Sequence, residues 1–380
     1  VSAIDDHGHD VLGSIAHLDR EYPDDFRFQN VRGYADEHSL TLKLFDEQLK
    51  DQRPKTKDPK TASLDVANPL SKLINPRYPS TALGLEKGIA SVVDLDHRRG
   101  HLCGLRRAAT INLPESMIKP SFDEANIADP SGLRDALAEL TTSAGLLRQK
   151  RWSVALPEAS TRALIMTLET PATSPHELEE VLEWKMDRGF ATPQYELSIA
   201  RELLPKDPQG RDRYLVVGTR TAVMEEYEAI FNSLGWRAGL ILPRHMCEAQ
   251  WLTRNGFTGD TLLLSSSEEG FTAVVYRDRQ PLILRSVTCS EQEREDELYR
   301  LLLFYRERRS AVAGDSGQLL SGFLVTGTGF NKARAGEIVN ETLDVDLRPL
   351  EARDLGLELP SRDLSFDAVA APAGLAILSR

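Results

Sequence analysis

The spacing of apolar positions becomes regular after about Tyr78. Leu133, Leu137, Leu140, Ala144 and Leu147 recur at helical intervals behind Asp129-Pro130, an N-cap followed by a first-turn proline. Residues 152–156 (WSVAL) form a short apolar run stopped by Pro157, which predicts a buried strand directly after that helix and so an α/β alternation. Ser174-Pro175-His176-Glu177 has the form of a capping box: the Ser hydroxyl accepts from the Glu177 amide and the Glu carboxylate reaches back to the Ser174 amide. Leu178, Val181, Leu182 and Met186 then make one face. Residues 214–218 predict a strand, and Val223, Tyr227, Ile230, Phe231 and Leu234 stripe a helix that Gly235 can end in a left-handed conformation. Another strand starts over residues 240–243.

Residues 82–95 (ALGLEKGIASVVDL) carry glycines at 84 and 88 before a β-branched run, the pattern of strand, turn and strand. The last third repeats it. Residues 261–264 begin a strand, and 272–276 and 282–285 predict an antiparallel pair joined by Arg277-Asp278-Arg279-Gln280, a polar turn without glycine. Leu298, Leu301, Leu302 and Tyr305 mark a helix whose start is acidic, opposing the positive helix end. A strand at 323–326, a helix near 335–343 and an apolar helix over 368–378 follow. The first 77 residues are different. Residues 51–60 (DQRPKTKDPK) read as a linker; Leu40, Leu42 and Leu44 suit one short strand, and residues 12–18 suit a helix equally.

A chain of 380 residues predicts two or more domains. Its formal charge of −12, without a Lys/Arg run, argues against nucleic acid. Cys103, Cys247 and Cys289 lie far apart, so neither a disulfide framework nor a zinc site is expected. The acidic start lacks the form of a signal peptide, and no apolar run is long enough to span a bilayer; both point to the cytoplasm.

The ordered set 152–157 (WSVALP), 177–190 (ELEEVLEWKMDRGF) and 214–252, with LGWRAGLILPRHMCEAQWL, resembles PilM, the actin-like component of type IV pilus assembly, related in fold to FtsA. The resemblance covers roughly residues 78–380. It implies an α/β, actin-like (duplicated ribonuclease H-like) two-lobed fold with an inserted subdomain, plus a polar N-terminal appendage at 1–77. The first lobe would span 78–259 with the insert at about 162–231, and the second lobe plus the C-terminal helix 260–380. It further implies a cytoplasmic scaffold, recruited to the inner membrane by the cytoplasmic N-terminal peptide of a PilN-type partner, without direct membrane insertion. A homo-oligomer is compatible with it.

In this superfamily ATP with magnesium lies between the lobes, against two glycine turns and a third glycine pair. The first turn here reads Gly84-Leu85-Glu86-Lys87-Gly88, with Glu86 where the resemblance expects Asp and Val93 where it expects Lys. The second reads Leu264-Ser265-Ser266-Ser267-Glu268-Glu269-Gly270, with Ser265 for the Asp and Ser267 for the Gly. The third is Gly327-Thr328-Gly329. Candidate nucleotide contacts are therefore Gly84, Glu86, Gly88, Gly327 and Gly329, in a degenerate site with no catalytic residue; the plainer readings are a solvated turn carboxylate at Glu86 and a strand-end turn at Gly327. The alternative function is an active ATPase or sugar kinase of the same superfamily. An FtsA-like polymerising protein is a third reading, opposed by a final helix without a cationic face.

Other candidates reduce to structure. Asp5, Asp6, His7, His9 and Asp10 read as a polar tail. Cys247 beside His245 is expected to be a buried thiol, not a nucleophile, because i and i+2 leave a helix on different faces. Trp184, Trp236 and Trp251 lie in or beside apolar stripes, which predicts packing roles.

Overall fold

A computed structural model describes residues 78–98, 102–310, 320–361 and 364–379. The expectations for His7, His9 and the rest of 1–77 lie outside the described residues. Among these residues, three sheets organise the chain. The first contains β1 (Thr81–Glu86), β2 (Ile89–His97), β3 (Cys103–Asn112), β4 (Arg151–Leu156), β8 (Arg237–Pro243) and β13 (Leu357–Glu358), in the order β13-β3-β2-β1-β4-β8. Strands β1 to β3 form an antiparallel meander, and β4 runs parallel to both β1 and β8. The second sheet repeats the plan. Its strands β9 (Thr261–Ser267), β10 (Gly270–Arg277) and β11 (Gln280–Thr288) form the meander, and β12 (Gly322–Gly327) runs parallel to β9.

Between β4 and β8 the chain makes a third, antiparallel sheet of β5 (Arg162–Thr167), β6 (Leu197–Leu204) and β7 (Arg213–Arg220), ordered β5-β7-β6. Its face is covered by α2 (Pro175–Phe190), whose Leu182, Met186 and Phe190 meet Met166, Leu197 and Val216 in a small core of their own. The start of α2 differs from the expected box. Ser174 Oγ accepts from the Glu177 amide at 3.2 Å, but the Glu177 carboxylate bonds the amide of Thr173 at 2.6 Å, one residue further back. Trp184 also departs from expectation: it is 56% exposed, two positions round the helix from the buried Leu182, with the Arg188 guanidinium 4.8 Å from its ring. By contrast Trp152 and Trp236 are buried against each other, with ring centroids 5.0 Å apart.

Helix α1 (Pro130–Ser143) is capped as its sequence requires, Asp129 accepting from the Gly132 amide at 2.9 Å. It stops about one turn too early for Leu147, which is exposed, because Gly145 takes φ +68° and breaks the helix. The turn at 277–280 is made without glycine: Asp278 and Arg279 themselves adopt φ of 49° and 66°.

Helices α3 (Thr221–Ser233) and α4 (Arg244–Arg254) flank β8, while α5 (Arg294–Ser310) and α6 (Lys332–Leu343) cover the second sheet, where Leu298, Leu301, Leu302 and Tyr305 meet Leu262, Val275 and Phe323. Asp260, buried just before β9, holds that layer together: it accepts from Arg277 at 2.8 and 2.9 Å, from the Tyr305 hydroxyl at 2.6 Å and from Arg309 at 3.1 Å. The last helix, α7 (Phe366–Ala376), follows the second sheet in the chain and touches it at β12, but packs mainly elsewhere. It lies on α4, β1, β2 and β4, and β13 joins the first sheet beside β3. Small side chains permit this closeness. A Cβ on Gly374 would sit 2.1 Å from the Cys247 carbonyl oxygen, so only glycine lets α7 meet α4 there. The Trp251 indole then donates to the Ala370 carbonyl at 2.8 Å. Among the described residues no helix is long and apolar enough to cross a membrane.

Candidate functional site

The ends of the two meanders face each other. The β1–β2 turn pairs Glu86 with Ile89 around Lys87-Gly88, where Gly88 takes φ +76°; the β9–β10 turn pairs Ser267 with Gly270 around Glu268-Glu269. Lys87 donates across the gap to Glu268 at 2.6 Å, joining the turns, and Glu268 raises the Lys87 ammonium above its ordinary value by hydrogen bond and charge. Behind this tie lies a cavity of about 280 Å³. Its polar lining includes Glu86, Ser91, Arg244, Thr328 and Asp367, and Ala155, Ala368, Ala371 and Pro372 supply an apolar wall.

The structure brings Gly84, Glu86 and Gly327 of the sequence candidates onto this lining. Gly88 shapes the adjoining turn. Gly329 lies alongside, where its carbonyl accepts from Arg294 and its amide donates to Ser266 Oγ at 2.9 Å. The glycines are closely covered by the chain's own atoms. A Cβ on Gly84 would be 2.9 Å from Pro372 Cδ of α7, and one on Gly327 would be 2.0 Å from the Ser266 carbonyl oxygen and 2.6 Å from the Arg244 guanidinium. Val93 is buried in the core, whereas Ser91, opposite Gly84 in the hairpin, lines the cavity. Ser265, in the place expected of an Asp, is buried and its hydroxyl finds no hydrogen-bond partner among the described residues.

Four functional-looking residues went unnoticed in the sequence: Arg244, Glu248, Glu158 and Asp367. Arg244 opens α4 directly after Pro243 and is buried. Its Nε donates to Glu248 Oε1 and one terminal nitrogen to Glu86 Oε2, both at 2.9 Å. Glu248, 0% exposed, also accepts from the Thr326 hydroxyl of β12 at 2.8 Å. A line of charge thus runs from the first hairpin through α4 to the second sheet. Burial pushes the Glu86 carboxyl up, against the lowering by Arg244. The only sequence sign of this was an Arg–Glu pair four residues apart on a helix, a pattern far commoner on solvated faces.

A second line is parallel to it. Glu158, just past β4, accepts from the His245 amide at 3.1 Å and lies 2.7 Å from His245 Nδ1; the Thr272 hydroxyl of β10 donates to it at 2.5 Å. Burial alone would raise the Glu158 carboxyl, but His245 and Thr272 together hold it below the usual carboxylate range. Asp367 closes the set, taking the Lys332 ammonium at 2.8 Å on both oxygens. Cys247 is buried, and burial pushes its thiol well up, as an inert core cysteine requires. Among the described residues no group of three or more His, Cys, Asp or Glu is placed to hold a metal ion.

No sequence-family profile matches the chain, and no curated protein matches it in sequence. Solved structures do. One described as a PilM-PilN type IV pilus biogenesis complex superposes with TM-score 0.58 at 16% identity, covering 80% of this chain and 98% of that chain. A Bacteroides thetaiotaomicron protein with actin-like ATPase fold and unknown function gives 0.43 at 13% identity over 76% and 93%. The cytoplasmic domain of EpsL, an inner-membrane component of the type II secretion system of Vibrio cholerae, gives 0.41 at 12% over 79% and 95%. At these identities likeness shows fold alone, and the fold is actin-like α/β.

Proposed function

We propose that this chain is a PilM-like cytoplasmic scaffold of type IV pilus assembly or a related secretion system, holding the cytoplasmic N-terminal peptide of a PilN-type inner-membrane partner. One observation carries the reading: among the described residues, the cations beside the cavity are already taken by the chain's own groups, Arg294 by the carbonyls of Ser267, Glu268 and Gly329 and the others by carboxylates. Arg244 is held by Glu86 and Glu248, Lys87 by Glu268, and Lys332 by Asp367. Phosphates entering here would meet no free positive charge, and the backbone at Gly84 that should approach them is covered by Pro372. These residues do not fit magnesium ATP, and the same ion pairs hold the lobes together as a rigid support.

In this reading 78–259 is the first lobe with its insert at about 162–231, and 260–380 the second lobe plus the C-terminal helix, which returns to the first sheet. On the same reading the partner peptide enters between the first sheet and the inserted one, where the recess beside β8 lined by Val217, Met224 and Ile241 is about 10 Å³ and has to open to admit it. That partner brings the protein to the inner face of the membrane. The test is a pull-down of the folded chain with the cytoplasmic tail of the PilN-type protein. Binding is expected, and its absence at concentrations on the order of tens of micromolar sinks the scaffold. Calorimetric titration with magnesium ATP checks the other half: binding that Glu86→Ala abolishes would restore the ATPase alternative.

A further inference from the structure

The inserted sheet meets the second sheet at a seam remote from the cleft. Strand β5 is an edge of the one and β11 an edge of the other, so neither has a second ladder partner on the side where they approach. A cavity of about 280 Å³ opens in this seam, with Ile165, Leu282, Leu284, Leu301 and Phe304 as its apolar wall. Three guanidinium groups face the same space: Arg213, Arg285 and Arg308.

Their charge is poorly answered. Arg213 is only 6% exposed, and its guanidinium donates to the carbonyls of Pro281 at 3.2 Å and Leu282 at 3.0 Å. Among the described residues it forms no ion pair, and neither does Arg308, whose nearest aromatic face is Phe304 at 5.9 Å. Arg285 reaches Glu297 at 3.5 Å, a long contact. Burial, and next the like charge of Arg308, push the Arg213 guanidinium below its ordinary value against a smaller pull from Asp207, whose carboxylate is engaged by Arg211. A buried cation held by carbonyl dipoles beside a second cation is an arrangement that an anion would complete.

We propose that this seam binds an acidic peptide segment, one carboxylate joining Arg213 and Arg308 while neighbouring apolar side chains cover Leu282, Leu284 and Phe304. Guanidinium forks match a carboxylate in two-pronged fashion. A bare phosphate would leave the hydrocarbon wall uncovered, and a polyanion would meet a chain of net charge −12. The cavity suits a few side chains, being just under the roughly 300 Å³ at which small-molecule sites begin. This site does not rest on the scaffold reading, because it lies between the insert and the second sheet, away from the recess beside β8.

The experiment uses the full chain and fluorescein-labelled octapeptides that set one glutamate among leucine, valine and phenylalanine. Fluorescence anisotropy should show binding to at least one. Replacing its glutamate by glutamine, or making Arg308→Ala in the protein, should weaken that binding by about tenfold or more. Arg308 is at the surface, so its variant should melt with the parent protein; a melting temperature within about 2 °C confirms that the fold is unaffected. Failure of every glutamate peptide to bind, equal binding by the glutamine versions, or binding unchanged in Arg308→Ala each overturns the proposal. So does binding to vesicles of anionic phospholipid in the absence of peptide binding.

Discussion

Replacing Arg244 by methionine removes the cation shared by Glu86 and Glu248 while keeping most of the side-chain volume. Glu248 has no exposure to water and keeps only the Thr326 hydroxyl; Glu86 is one-fifth exposed and can partly rehydrate. Removing one partner of a buried ion pair costs about 3–5 kcal/mol, and the partial exposure of Glu86 places the expected loss near the lower end, about 3 kcal/mol. With a urea slope of about 3 kcal/mol/M for a chain of this size, the unfolding midpoint should fall by about 1 M. Buried Trp152, Trp236 and Trp251 report the transition by fluorescence, and far-ultraviolet circular dichroism reports the whole. The deficit has a pH signature. The Glu86 carboxyl is already raised above 4.5 by burial, and loses its chief stabiliser with Arg244. A carboxyl raised in the folded state penalises stability above its folded value and ceases to do so below its unfolded one, so the deficit should shrink as pH falls toward 4.5. Adding Glu248→Gln should recover much of the loss. A deficit below about 1 kcal/mol, or one equal at pH 5 and pH 8, would refute the assignment of Arg244 as the shared cation.

Gly374→Ala should force α7 away from the Cys247 carbonyl and cost about 1–3 kcal/mol, read as a lower melting temperature; an unchanged melt counts against the packing described. The carboxyls of Glu158 and Asp260 are lowered, the first by His245 and Thr272 and the second by Arg277, Tyr305 and Arg309, each against burial. Their stabilisation is therefore complete above the unfolded values of 4.5 and 3.8 and drains away as pH falls below them, so urea midpoints should drop between pH 5 and 3, less steeply in Glu158→Gln. Thiol titration of the native protein should label Cys289 first, since Cys103 and Cys247 are buried; rapid labelling of all three would contradict that burial.

Much of this fold was legible as local periodicity. The helix stripes, the two hairpins and the caps at Asp129 and Ser174 depend on residues within a few positions of each other, and there the sequence is explicit. The glycines at 84 and 327 also announced a close approach. What they approach was not legible, because Pro372 and Arg244 are distant in sequence and nothing local selects them. Trp184 shows the converse limit: a stripe tells which face is apolar, but a bulky neighbour of the stripe can lie outside it, exposed, with an arginine guanidinium over its ring. Likewise α7 reads as buried from its composition, while the choice of sheet that buries it is made by the fit of Gly374 against α4 and of Pro372 against Gly84.

The return of α7 to the first sheet bears on how the chain acquires its structure during synthesis. The helix that covers β1, β2 and β4 is translated more than two hundred residues after them. Until it emerges, apolar side chains on that face of the first sheet, such as Ala82 and Val93, lack their cover, so the first sheet cannot be closed early. Its closure waits for the synthesis of α7, with the high contact order and long exposure to chaperones that such a delay entails.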